Sequence, residues 1–109
     1  MRNLMLISSL TFLSLLLGGC TFVKLTAAGE NVAVLQAGEV ANCTLNTPTS
    51  TLTANVPNKV VVNRENARVQ QDLRTLARNR AAVLGGDTIV PTTEPRNGEQ
   101  TFNIYRCRR

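Results

Sequence analysis

Residues 4–17 (LMLISSLTFLSLLL) carry no charge and are mostly apolar. As a helix they would reach about 21 Å, short of a hydrocarbon core of about 30 Å. Met1-Arg2-Asn3 precedes them with a single positive charge, and Gly18-Gly19 follows them with small side chains. That order reads as a secretory signal peptide over residues 1–19 rather than a permanent span. It constrains the rest of the chain: removing 19 of 109 residues leaves 90 to fold. Such a length supports one modest domain, whose core is marginal without a covalent staple.

The small residues end in a cysteine. Leu17-Gly18-Gly19-Cys20 resembles the bacterial lipobox. The resemblance implies that the Cys20 thiol receives a diacylglyceryl group and that the amino group freed by cleavage is acylated. One buried chain holds a protein only marginally, whereas two or more anchor it stably. In the sorting system that the motif resembles, an Asp after the Cys favours retention in the inner membrane. Thr21 therefore points to the inner leaflet of the outer membrane, facing the periplasm, with the inner membrane as the alternative. Residues 20–31 read as the lipidated Cys and a short tether, and residues 32–109 as a periplasmic α+β domain.

Cys43 and Cys107 then remain. An exported domain meets an oxidising compartment, and two thiols allow one pairing. A bridge across their sequence separation of 64 contributes about 4 kcal/mol in the chain-entropy model. A redox role is disfavoured, since no C-x-x-C spacing is present to lower a thiol pKa.

Val32–Leu35 and Val40–Leu45 read as strands, and Thr47–Ala54 as an extended edge limited by Pro48. A turn at Val56-Pro57-Asn58 and a brief extended piece at Lys59–Val62 follow. Asn63 is placed to cap a helix, with Glu65 in its first turn. Val69, Leu73, Leu76, Ala77, Val83 and Leu84 recur at helical spacing, with Arg64, Arg68, Arg74 and Arg78 mostly opposite. Arg80 falls near the middle of the apolar face, where it would snorkel at the helix C-terminus and its charge would complement the dipole. Gly85-Gly86 stops the helix, Asp87–Val90 is a strand, residues 94–98 (EPRNG) form a turn, and Gln100–Cys107 is the last strand. The expected fold is a two-layer α+β domain: one helix on a four-stranded sheet in β-β-α-β-β order, with one disulfide. Phe102, Ile104 and Arg106 would point to one face of the last strand, and Thr101, Asn103, Tyr105 and Cys107 to the other. One helix covers one face, so the second face would be partly exposed or meet a partner.

Composition narrows function. The chain has no His and no Trp. Lack of His removes the commonest general base and metal ligand. Ser50 is the sole Ser after Cys20, and the seven carboxylates are scattered, so no triad, metal site or cofactor site is expected. Gly85-Gly86 follows a helix, the wrong polarity for a phosphate loop. The net charge of +5 falls to +4 once Arg2 is removed. That excess is too small, and the aromatics Phe22, Phe102 and Tyr105 too few, for a nucleic-acid partner. Arg68, Arg74 and Arg78 form the best candidate binding surface, suited to anionic lipid headgroups or cell-wall carboxylates. The competing reading is a solvated face with i,i+4 pairing, such as Arg68 with Asp72.

Asn42-Cys43, residues 73–82 (LRTLARNRAA), residues 84–90 (LGGDTIV) and Tyr105-Arg106-Cys107 resemble, in that order, an uncharacterised bacterial lipoprotein family carrying a domain of unknown function. More distantly the chain is similar to the outer-membrane sensor lipoprotein of the Rcs phosphorelay, which also carries a disulfide-tied α+β domain. It differs in having one possible bridge and no long Pro-rich linker after Cys20. The resemblance implies a fold and an address. The expected function is a non-enzymatic binding or structural role in the envelope. Its rivals are an envelope-stress sensor acting through a protein partner and, third, a small-ligand binder or enzyme.

Overall fold

The computed structural model describes residues 23–57 and 66–107. The signal peptide, Cys20, the Lys59–Val62 piece and the Asn63 cap with Glu65 lie outside the described residues. The elements run β1 (Ala33–Val34), β2 (Thr44–Leu45), β3 (Thr51–Asn55), α1 (Asn66–Val83), β4 (Thr88–Pro91) and β5 (Glu99–Arg106). Short 3-10 turns precede β1 at Gly29–Asn31 and follow it at Ala37–Glu39.

The α+β expectation holds, but the sheet is mixed and has five strands rather than four. The order is β-β-β-α-β-β. β1 pairs in parallel with β4, and β4 pairs antiparallel with β5. β2 and β3 share the far side of β5 end to end: Thr44 and Leu45 face Arg106 and Tyr105, while Thr51–Asn55 face Asn103–Glu99. The sheet is thus four strands wide although five strands build it.

The expected strand Val40–Leu45 is mostly a turn. Gln36 and Glu39 bond reciprocally and start the second 3-10 turn, and the Cys43 N–H closes on the Val40 carbonyl at 3.0 Å. These local bonds satisfy backbone groups that a strand would have offered to a neighbour.

α1 covers one face. Val69, Leu73, Ala77 and Ala81, four apart, are all buried and meet Leu52, Ala54, Ile89, Phe102 and Ile104 from the sheet. Leu76 and Leu84 pack at the margin, whereas Val83 is 79% exposed, contrary to its expected place on the apolar face. Arg80 is exposed and lines one depression with Leu76, Val83 and Leu84.

Gly85 (φ 94°) and Gly86 end the helix. Gly86 N–H donates to the Ala81 carbonyl and Gly85 N–H to that of Ala82, the paired bonds of a Schellman cap. A Cβ on Gly86 would collide with the Ile104 side chain. The expected turn at residues 94–98 closes the β4–β5 hairpin. Asn97 and Gly98 both have positive φ, and Arg96 and Glu99 exchange two bonds of 2.9 Å.

The second face is not bare. β1 sits at one edge and β2 beyond β5, so residues 35–43 must cross the sheet on the side away from α1. Thr88 and Val90 alternate with Ile89 and point to that side, yet both are buried. Val40 is buried too and lies outside the helix-side cluster.

Candidate functional site

The bridge between Cys43 and Cys107 is formed. Its position follows from sheet register. Ile104 carbonyl accepts from Asn46 N–H, so residues 46 and 104 are a hydrogen-bonded pair. Alternation makes Thr44 opposite Arg106 the next such pair, and Cys43 opposite Cys107 a non-hydrogen-bonded one. Such pairs bring Cα atoms to about 4.5 Å, and the observed separation is 4.4 Å. Cys107 is held further by its N–H, which donates to Asp87 Oδ1 at 2.7 Å.

The three arginines are not equivalent. Arg68 lies 3.5 Å from Asp72 one turn on, the i,i+4 pair expected of a solvated face. Arg78 reaches back to the chain before β1: its Nε donates to the Val32 carbonyl at 2.9 Å and its Nη2 to that of Glu30 at 3.2 Å. It thereby fixes the first 3-10 turn while keeping its positive charge. Arg74 is exposed.

Asn79, not singled out from sequence, organises the same region. Its Nδ2 donates to the Lys24 carbonyl at 2.8 Å, and its Oδ1 accepts from Thr26 N–H and Oγ1. Gly29 lies so close that a Cβ there would collide with the Asn79 side chain. Residues 23–29 are therefore a strap bound across α1, and the expected tether is packed from Lys24 onward. A small residue opposite a polar one signals this contact only once the pairing is known.

Asn46 plays the matching role at the other end. It is fully buried, donates to the Thr49 and Leu84 carbonyls, and accepts from Arg106 Nε at 2.8 Å. It ties β2, the helix cap and β5 together. Arg106 also donates to the Thr47 carbonyl.

A surface depression of about 590 Å³ lies between β3 and the last turns of α1, with Leu76, Asn79, Arg80 and Val83 on the helix side. A smaller one, about 290 Å³, lies beside the strap: Val23, Leu25 and Val34 form its apolar side, and Arg74 and Arg78 its basic side. Among the described residues no His, Cys, Asp or Glu group of three or more is placed to hold a metal, and no helix is long and apolar enough to cross a membrane.

These features define a disulfide-closed α+β domain, one helix on a mixed sheet, strapped at its N-terminal side by Asn79 and Arg78. The chain belongs to the family described as a domain of unknown function, DUF4156, whose model matches residues 23–107. The match begins at the strap and ends at the bridging Cys107. No curated protein and no solved structure matches the chain.

Proposed function

We propose that this chain is a lipoprotein anchored through acyl groups on Cys20 in the outer membrane, periplasm-facing, with a non-enzymatic role in binding another envelope component. One observation carries the reading. The lipobox-like Leu17-Gly18-Gly19-Cys20 stands three residues before Val23, where the family domain begins. The domain that follows is closed by a disulfide, a bond that persists in oxidising compartments. Thr21 favours the outer over the inner membrane. The test is palmitate labelling in a two-membrane bacterium, with separation of the membranes by density. Label should enter the wild-type chain, vanish with Cys20→Ala and follow the outer membrane. An unlabelled wild-type protein that washes free without detergent refutes the reading.

A protein partner has specific support. Ile104 N–H donates to the Ser50 carbonyl and Val56 N–H to that of Gly98. By alternation, the backbone groups of Thr51, Thr53 and Asn55 face outward, where no described strand pairs with them. Val83 is exposed beside this edge. Unpaired edges accept an extended peptide. Such an edge suits a protein partner, through which the alternative role, an envelope-stress sensor, would act. A deletion strain profiled for envelope-stress transcription decides: an unchanged profile removes the sensor reading and leaves the anchor untouched.

A further inference from the structure

We propose that the strap and the adjoining side of α1 form a bilayer-docking face, with Lys24, Arg74 and Arg78 against anionic phospholipid headgroups. The inference rests on lipidation of Cys20. The free β3 edge is then turned away from the membrane.

Chain length supplies the first argument. Two residues, Thr21 and Phe22, separate Cys20 from Val23, and the three steps of chain fully extended span at most about 11 Å. Val23 cannot swing away either, because Lys24 and Thr26 are hydrogen-bonded to Asn79. A lipid on Cys20 therefore holds the surface around Val23 within a headgroup layer's thickness of the bilayer. Val34 of β1 shares a depression with Val23 and Leu25, so the β1 edge comes with it. β3 lies three strand positions away, about 14 Å across the sheet.

Charge supplies the second argument. Lys24 and Arg74 are exposed. Arg78 spends its described donors on backbone carbonyls yet keeps its charge. Two carboxylate residues oppose them: Glu30, whose backbone carbonyl accepts from Arg78, and Glu94, which shares a depression with Arg74; Arg68 is balanced by Asp72. Among the described residues the face keeps a net positive charge. It also offers the apolar side chains of Val23, Leu25 and Val34, which the acyl boundary accepts.

The test uses the full-length lipidated protein, reconstituted into vesicles of phosphatidylcholine with or without phosphatidylglycerol. The chain has no Trp, so Gln71→Trp near the strap and Thr53→Trp on β3 each give a single reporter. With phosphatidylglycerol present, headgroup nitroxide lipids should quench the reporter near the strap several-fold more than the one on β3. Each cation near such a surface shifts the docked population about fivefold. Lys24→Gln with Arg74→Gln should thus lower the docked-to-undocked ratio about thirtyfold. The unsubstituted protein gives a second readout. Lys24 and Lys59 are its only lysines, and amine acylation at Lys24 should slow in phosphatidylglycerol vesicles relative to neutral detergent. Equal quenching of both reporters, or an unchanged Lys24 rate, in protein that floats with the vesicles overturns the docking face and leaves the anchor intact. Protein that fails to float overturns the anchor, and this inference with it.

Discussion

Replacing both bridging cysteines, Cys43→Ser with Cys107→Ser, should cost most of the stability of this domain. The bridge spans a sequence separation of 64. Closing a loop of that length removes about 14 cal/mol/K from the unfolded chain, or about 4 kcal/mol at 25 °C. Little is lost on the folded side, because β2–β5 pairing already sets the 4.4 Å Cα separation. Small domains hold about 5–15 kcal/mol in all, with short ones near the bottom of that range. In a domain of this size each kcal/mol moves Tm by about 4–8 °C, so the melting point should fall by roughly 20 °C. Urea unfolding followed by far-UV circular dichroism measures the change directly. The midpoint should drop and the m-value should rise, since an uncrosslinked chain exposes more surface when unfolded. Reduction of the wild-type protein should reproduce both shifts. A loss below about 1 kcal/mol, with m unchanged, would refute the reasoning: the bridge would then not constrain the unfolded chain.

Leu73→Ala should cost about 2–5 kcal/mol by urea unfolding, since Leu73 is fully buried against the sheet; Val83→Ala, at a site 79% exposed, should stay within about 0.5 kcal/mol. Asn79→Ala removes the bonds that hold Lys24 and Thr26. Hydrogen exchange should rise at the Thr26 and Glu30 amides while β5 stays protected, with a global loss of about 1–2 kcal/mol. Asn46→Leu strips Arg106 Nε and two carbonyls of their partner at a fully buried position. A loss of about 2–4 kcal/mol is expected from unsatisfied buried groups, read from the denaturant midpoint.

What the sequence made legible was local. Gly85-Gly86 and Asn97-Gly98 announce a helix stop and a hairpin turn because few residues tolerate the dihedrals required there. The bridge was legible by counting. The helix core was legible in outline, but its last buried position is Ala81 rather than the larger Val83. Burial there follows the four-residue row that meets Ile104 and Ile89, and side-chain size does not report which row faces a sheet. The extra strand arose for a related reason. Two short pieces, Thr44–Leu45 and Thr51–Asn55, divide one side of β5; the second falls largely within the Thr47–Ala54 stretch read as an extended edge, where Pro48 argued against a ladder.

The candidate site was less legible, and the arginines show why. Arg74 and Arg78 are one turn apart on the same helix, chemically identical, and both belong to the expected basic face. One is exposed and the other is bonded to carbonyls of Glu30 and Val32. Nothing within α1 distinguishes them. The difference is set 46 and 48 residues earlier, where the chain turns at Gly29–Asn31 and presents those carbonyls. Helical periodicity says which side chains share a face, but a distant backbone decides which are consumed by the fold. A strap that is itself fastened by Arg78 and Asn79 places the remaining cations, Lys24 and Arg74, beside the proposed lipid attachment. Folding and membrane orientation would then draw on the same helix face, and loosening the strap with Asn79→Ala should weaken both together.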